Sequence, residues 1–182
     1  MATTQTTTTT QAPRRLGGRW IDDWRPEDLD FWNTKGRAIA GRNLLFSVLS
    51  EHIGFSVWSL WSVIVLFLGP EYGIDAAGKF LLTALPTLVG AVLRVPYTFA
   101  VAVFGGRNWT IVSALMLLIP TVLIGIVLEP GVSYTTLLLV AMTAGVGGGN
   151  FASSMANINS FFPQRSKGAA LGLNAGGGNL GV

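Results

Sequence analysis

Residues 80–104 read FLLTALPTLVGAVLRVPYTFAVAVF, and this stretch decides the fold. Apart from Arg94, every residue in it is uncharged, and most are apolar or small. A helix rises about 1.5 Å per residue, so a run of this length crosses the roughly 30 Å hydrocarbon core of a bilayer. Arg94 then lies roughly 21 Å from the start of the run, past the easy reach of a snorkelling side chain. An arginine near mid-bilayer costs about 2.5–3.5 kcal/mol on insertion scales. No acidic residue nearby in sequence offers an obvious partner. The charge is therefore expected to face a polar cavity, where an anion can reach it.

The rest of the chain fits that environment. Half of its 182 residues are hydrophobic and only 12% are charged, which is membrane-protein composition. Cysteine is absent, which excludes a disulfide framework, a thiolate metal site and a cysteine nucleophile. The single histidine, His52, argues against a histidine-based metal cluster. No cofactor or metal is expected. Seven of the twelve basic residues precede the first apolar run: Arg14, Arg15, Arg19, Arg25, Lys35, Arg37 and Arg42. Asp22, Asp23, Glu27, Asp28 and Asp30 are interleaved with them. No basic stripe with stacking aromatics emerges, so nucleic acid is not an expected partner. An enzyme is not expected either. The chain shows no Ser-His-Asp set, metal-ligand spacing or phosphate loop, and the glycines of residues 145–150 follow a membrane helix rather than the strand that a GxGxxG motif needs.

The expected organisation is an all-α membrane protein of about five transmembrane helices. Residues 1–42 form a disordered or interfacial cytoplasmic segment. Its first 13 residues are Thr-rich and too polar to bury a core. Trp20, Trp24 and Trp32 then lie among charges, which suits either a short amphipathic helix at the membrane surface or a loop with incidental aromatics. Residues 43–182 form the transmembrane helical domain, with helices at about 43–68, 80–104, 109–128, 134–161 and 167–182. The last is truncated, which suggests the N-terminal part of a longer transporter. One set of connections carries the seven basic residues, Arg107, Arg165 and Lys167, whereas the other carries only Lys79. That asymmetry predicts a cytoplasmic N-terminus.

Small and amide residues mark the later helices. Gly168, Gly172 and Gly176 recur every four residues on one face of the fifth helix, and Gly147, Gly148, Gly149 and Ser153 thin the fourth. Helix packing is the ordinary reading of each glycine. Their density also suits backbone that lines a cavity or bends. Asn150 and Asn157 share a face, with Ser153 and Ser154 close to it, and Asn179 shares the face of Gly172 and Gly176, while Asn174 points elsewhere. Buried amides must bond across helices or to a ligand. Guanidinium offers a planar fork of donors that matches a planar oxyanion. Glu51 and His52 suit either a proton relay or, for Glu51, a pair with a basic residue at the near end of the helix. Phe55, Trp58 and Trp61 suit a cavity wall or plain packing. Pro86, Pro96 and Pro120 are expected to bend helices two and three.

Residues 149–158, GNFASSMANI, lead through Phe161, Phe162 and Pro163 into residues 167–182, KGAALGLNAGGGNLGV. This region closely resembles the first nitrate signature of the nitrate/nitrite porter (NarK-type) family of the major facilitator superfamily. Residues 93–97, LRVPY, resemble that family's second helix. The resemblance spans about residues 40–182 and includes Gly149 and Gly181 of the signature. It implies the N-terminal half of a twelve-helix, two-halved transporter in the cytoplasmic membrane. Such a protein moves nitrate, nitrite or both by alternating access, through nitrate/nitrite exchange or proton-coupled symport, in nitrate assimilation or respiration. It also implies that Arg94 is the first of two substrate arginines, the second lying in the missing C-terminal half. Asn179 would contact or orient the anion, and Phe151 and Phe55 would line the pocket. The loop at residues 104–108, FGGRN, lacks the Asp usual in the superfamily's loop between helices two and three, which leaves gating contacts there in doubt. Two other readings stay open: a porter for another small anion, and a non-transporting membrane subunit whose arginine pairs with an acid on a partner.

Overall fold

The computed structural model describes residues 21–182, so the expectations placed on residues 1–20, Trp20 among them, lie outside the described residues. Five helices carry the described chain: α1 (Leu29–Phe67), α2 (Ala76–Phe104), α3 (Gly106–Val127), α4 (Tyr134–Phe161) and α5 (Gln164–Asn179). No strand occurs among the described residues. The first four helices are long and apolar enough to cross a membrane. The chain forms a multi-pass membrane bundle of the kind expected for one half of a two-halved transporter.

Helix ends are set by local chemistry. The Asp28 carboxylate caps α1, accepting from the backbone N–H of Asp30 at 3.0 Å and of Phe31 at 3.1 Å. Asp75 caps α2 through the N–H of Gly78 at 2.7 Å, and Ser133 caps α4 through the N–H of Thr136 at 3.1 Å. Lys79, the lone base at its end of the bundle among the described residues, donates to the carbonyl of Leu68 just past α1, satisfying a free helix terminus. α3 breaks at Leu117, three residues before Pro120. Proline has no N–H and its ring crowds the carbonyl four residues back, here that of Met116. Pro86 and Pro96, by contrast, lie inside the unbroken α2. α4 changes pitch at Ala144, just before its glycine-rich half.

The start of α1 differs from the expectation. The helix begins at Leu29 and runs through a single π turn at Trp32–Gly36 into the apolar span. Its aromatics pack on protein rather than standing incidentally in a loop. The Trp24 ring lies 5.5 Å from Phe31 and 5.1 Å from Phe161. Trp32 is buried, 5.7 Å from the Phe162 ring, with the Arg165 guanidinium 5.8 Å from its own. Glu27 accepts from the N–H of Gln164 at 2.8 Å and lies 4.0 Å from Arg165. The segment is thus an aromatic clasp over the connection between α4 and α5. Rings packed edge to face in this way add stability beyond the area they bury. Trp32→Ala is expected to cost about 3–5 kcal/mol, seen as a lower unfolding temperature of the detergent-solubilised full-length protein. An unchanged temperature would show that the clasp adds nothing.

Each spanning helix has a covered stripe and a bare one. On α2, Leu82, Pro86, Gly90, Tyr97 and Ala100 are buried, whereas Leu88, Val92, Val95, Phe99 and Val103 are exposed. Both sets recur at spacings of three, four or seven residues, as the helical repeat of about 3.6 requires. Away from the clasp, a core of Trp61, Ile64, Leu68, Leu82, Ile124, Leu137 and Val140 joins α1 to α4.

α4 threads between α1 and α2 at backbone distance. A Cβ built on Gly147 would lie 2.2 Å from the carbonyl oxygen of Gly54 on α1. One on Gly148 would lie 3.2 Å from the Cα of Gly90 on α2 and 2.9 Å from the Trp58 indole nitrogen. Trp58 fills the notch that these glycines leave and donates to the Pro86 carbonyl at 2.9 Å. Small residues let helices in lipid gain dispersion contacts at this range.

Candidate anion site

Arg94 projects from α2 toward the glycine-rich half of α4. Its Nε approaches the Gly148 carbonyl at 3.5 Å, and its Cζ lies 5.2 Å from the centre of the Phe151 ring. Phe55 on α1 stands 5.9 Å from Phe151 and 5.5 Å from Trp58. Phe55 is buried, and Phe151 and Arg94 are half-buried. Gly149, packed against Leu93 and Tyr97, lets α4 come close enough for Phe151 to reach the guanidinium.

Among the described residues Arg94 has no carboxylate partner, since the ion pairs there belong to Arg25 and Arg165. Neither of its Nη atoms has a hydrogen-bond partner, and neither is sealed from solvent. The Phe151 face stabilises the cation without occupying its donors. The arrangement leaves a fork of N–H groups free for a planar anion. Phe151→Ala should weaken anion binding by about 0.5–2 kcal/mol, roughly two- to thirtyfold in Kd. Titration of the purified full-length protein with nitrate measures it, and an unchanged Kd would show that the ring has no part in the site.

The amides divide. Asn150 is spent between helices, with its Nδ2 donating to the Ser50 carbonyl at 3.2 Å and its Oδ1 accepting from Ser113 at 3.1 Å. Asn157 donates to Asn43 at 3.1 Å. The exposed Asn179 folds its amide onto the Ala175 carbonyl at 2.9 Å, and no contact joins it to Arg94, Phe151 or Phe55.

The glycines of α5 also differ from the expectation. A Cβ on Gly168, Gly172 or Gly176 would meet nothing within 4 Å, so that face packs against no neighbour among the described residues. The face turned inward carries Ala170, Asn174 and Gly178. The two sets are offset by two residues, about 200° around the helix, and have the same spacing. Gly181, beyond the helix, does make close contact: its Cβ would lie 2.1 Å from the His52 carbonyl oxygen.

Sequence reasoning missed one cluster. The fully buried Asn174 and the buried Glu51, Ser154 and Ser47 meet between α1, α4 and α5. Glu51 has no basic partner among the described residues, contrary to the pairing considered for it. Separately, a cavity of about 850 Å³ opens at the end of the bundle that carries Arg42, Arg107, Asn43 and Asn108. Arg94 does not line it.

The Major Facilitator Superfamily profile matches residues 45–182, most of the chain. The chain belongs to the major facilitator superfamily. Within this superfamily it is 47% identical over 164 residues to the nitrate/nitrite transporter NarU of Salmonella typhimurium, covering 89% of this chain and 36% of that protein. The same figures hold for NarU of Escherichia coli. It is 40% identical over 168 residues to the probable nitrate/nitrite antiporter NarK2 of Thermus thermophilus, covering 91% of this chain and 37% of that protein. The chain therefore spans a little over a third of the length of these relatives.

Proposed function

We propose that the full-length protein carries nitrate, nitrite or both across the cytoplasmic membrane by alternating access, and is a transporter rather than an enzyme. The observation that carries this is Arg94: a guanidinium within a spanning helix, backed by Phe151, with unpaired Nη donors and no carboxylate partner. Such a charge selects anions, and its planar fork suits an oxyanion that can accept two parallel N–H bonds, as nitrate and nitrite can. Similarity to nitrate/nitrite transporters at 47% identity supports the same substrates. The bases Arg25, Lys35, Arg37, Arg42, Arg107, Arg165 and Lys167 gather at one end of the bundle, against Lys79 at the other. This asymmetry supports a cytoplasmic N-terminus.

Uptake of labelled nitrate into proteoliposomes of the full-length protein tests the proposal. Saturable uptake competed by nitrite and not by sulfate is expected. Uptake no greater than in protein-free vesicles would reject it.

A further inference from the structure

The cavity at the basic end of the bundle has no part in the site at Arg94, yet its walls suit an anion. Arg42, from α1, and Arg107, from the first turn of α3, both line it, and no acidic residue does. Neither guanidinium has an ion pair among the described residues, where the paired bases are Arg25 and Arg165. Two like charges that share one space repel, and an anion between them turns that repulsion into attraction.

The groups around them have the same character. Asn157 on α4 ties the two walls together: its Nδ2 donates to Asn43 Oδ1 at 3.1 Å, and Gly106 packs on its amide oxygen. That leaves Asn43 Nδ2 buried and without a partner, on a residue that lines the cavity. An amide donor left in this way is costly unless something accepts from it. No side chain caps α3, and its first three residues, Gly106, Arg107 and Asn108, line the cavity too. The leading N–H groups of a helix have no acceptor within it. By contrast, the Thr110 hydroxyl is spent on the Gly106 carbonyl at 2.8 Å, and the Ser47 hydroxyl lies 2.9 Å from Ser154 Oγ. Cations and N–H donors are what these walls chiefly offer.

Size and surroundings narrow the class of occupant. The volume, about 850 Å³, falls in the range of pockets that hold drug-sized ligands and exceeds what a small inorganic ion fills. The polar part of the wall gives way to Ile39, Phe46 and Ile111. From Phe46 the exposed Leu49 and Ile53 continue along α1, and from Ile111 the exposed Leu115 and Leu118 continue along α3. Steps of three and four keep each row on one helix face, leading from the cavity into the spanning segment. A negative head with an apolar tail matches both regions. Anionic phospholipids have that form, and basic pockets between spanning helices recognise their headgroups.

The geometry points to a phospholipid site: the phosphate of an anionic lipid lies among Arg42, Arg107 and Asn43, and its acyl chains follow the apolar rows of α1 and α3. The lipid bridges α1 and the connection between α2 and α3. This inference is independent of what the protein transports.

Native mass spectrometry of the delipidated full-length protein in detergent, titrated with phosphatidylglycerol, tests it. The wild type should take up one phosphatidylglycerol at concentrations where phosphatidylcholine with the same chains does not bind. Arg42→Gln/Arg107→Gln should raise the half-saturating concentration roughly tenfold or more. Lys35→Gln, which removes an exposed base at the same end but outside the cavity, should leave it unchanged. Arg42→Lys/Arg107→Lys, which keeps both charges, should restore most of the binding. Equal affinity for phosphatidylcholine would overturn the inference. So would an equal loss in Lys35→Gln, because the attraction would then be the diffuse charge of that end. Unchanged binding in the double Gln variant would put the lipid elsewhere and overturn it as well. A monodisperse double Lys variant that binds as weakly as the Gln one would overturn it by showing that the arginines only shape the cavity. Glycerol phosphate bound by the wild type, with no phosphatidylglycerol retained, would assign the cavity to a soluble anion and overturn the lipid assignment.

Discussion

Arg94→Lys should reduce nitrate affinity by roughly ten- to a hundredfold and bring uptake at low substrate close to background. Lysine keeps the positive charge but replaces a planar fork with a single ammonium, so a two-pronged contact becomes one. A hydrogen bond to a charged group contributes about 1.5–3 kcal/mol, which sets that range of affinity. Arg94→Ala, which also removes the charge, should do more. Neither change should unfold the bundle. The one protein hydrogen bond that the Arg94 side chain makes is the long contact from Nε to the Gly148 carbonyl at 3.5 Å, and its Nη atoms hold nothing together. Paired measurements of nitrate uptake and unfolding temperature separate the two effects. Unchanged uptake in Arg94→Lys would remove the case for planar recognition. Lost uptake accompanied by a large drop in unfolding temperature would make Arg94 structural.

The second large effect is expected at Gly147. Its would-be Cβ lies 2.2 Å from the backbone oxygen of Gly54, and no rotamer relieves a clash with backbone. Overpacking typically costs about 1–3 kcal/mol, and a bulky side chain wedged between two spanning helices falls at or above that range. Gly147→Leu should therefore fail to yield monodisperse protein. Gly176→Leu is the instructive contrast, since an added Cβ there meets nothing within 4 Å. It should insert and purify normally. Because α5 presents this bare glycine face outward, Gly176→Leu should still block transport if the face slides against the other half of the transporter. Normal uptake by that variant would remove the face from the moving parts. Size-exclusion profiles and uptake assays on both variants read these outcomes directly.

Sequence and structure informed different parts of this protein. The apolar runs were legible because hydropathy belongs to each residue separately, and a run of spanning length has few alternatives in lipid. Arg94 stood out for the same reason, as a lone charge in such a run. The early start of α1 was hidden because the charged residues before position 43 mask a helix that is held by Asp28 and by contacts to Phe161 and Phe162, more than a hundred residues away. Asn174 was hidden differently. Ala170, Asn174 and Gly178 repeat with the same spacing as Gly168, Gly172 and Gly176, so periodicity alone could not say which face turns inward. Composition, hydropathy and the signature residues by themselves determined a membrane bundle of this superfamily with a cation inside a spanning run. Tertiary structure alone decided the rotation of each helix about its axis. That rotation depends on where backbones can touch, at Gly54 with Gly147 and Gly90 with Gly148, and it placed Phe151 over Arg94 and enclosed Glu51 with Ser154 and Asn174.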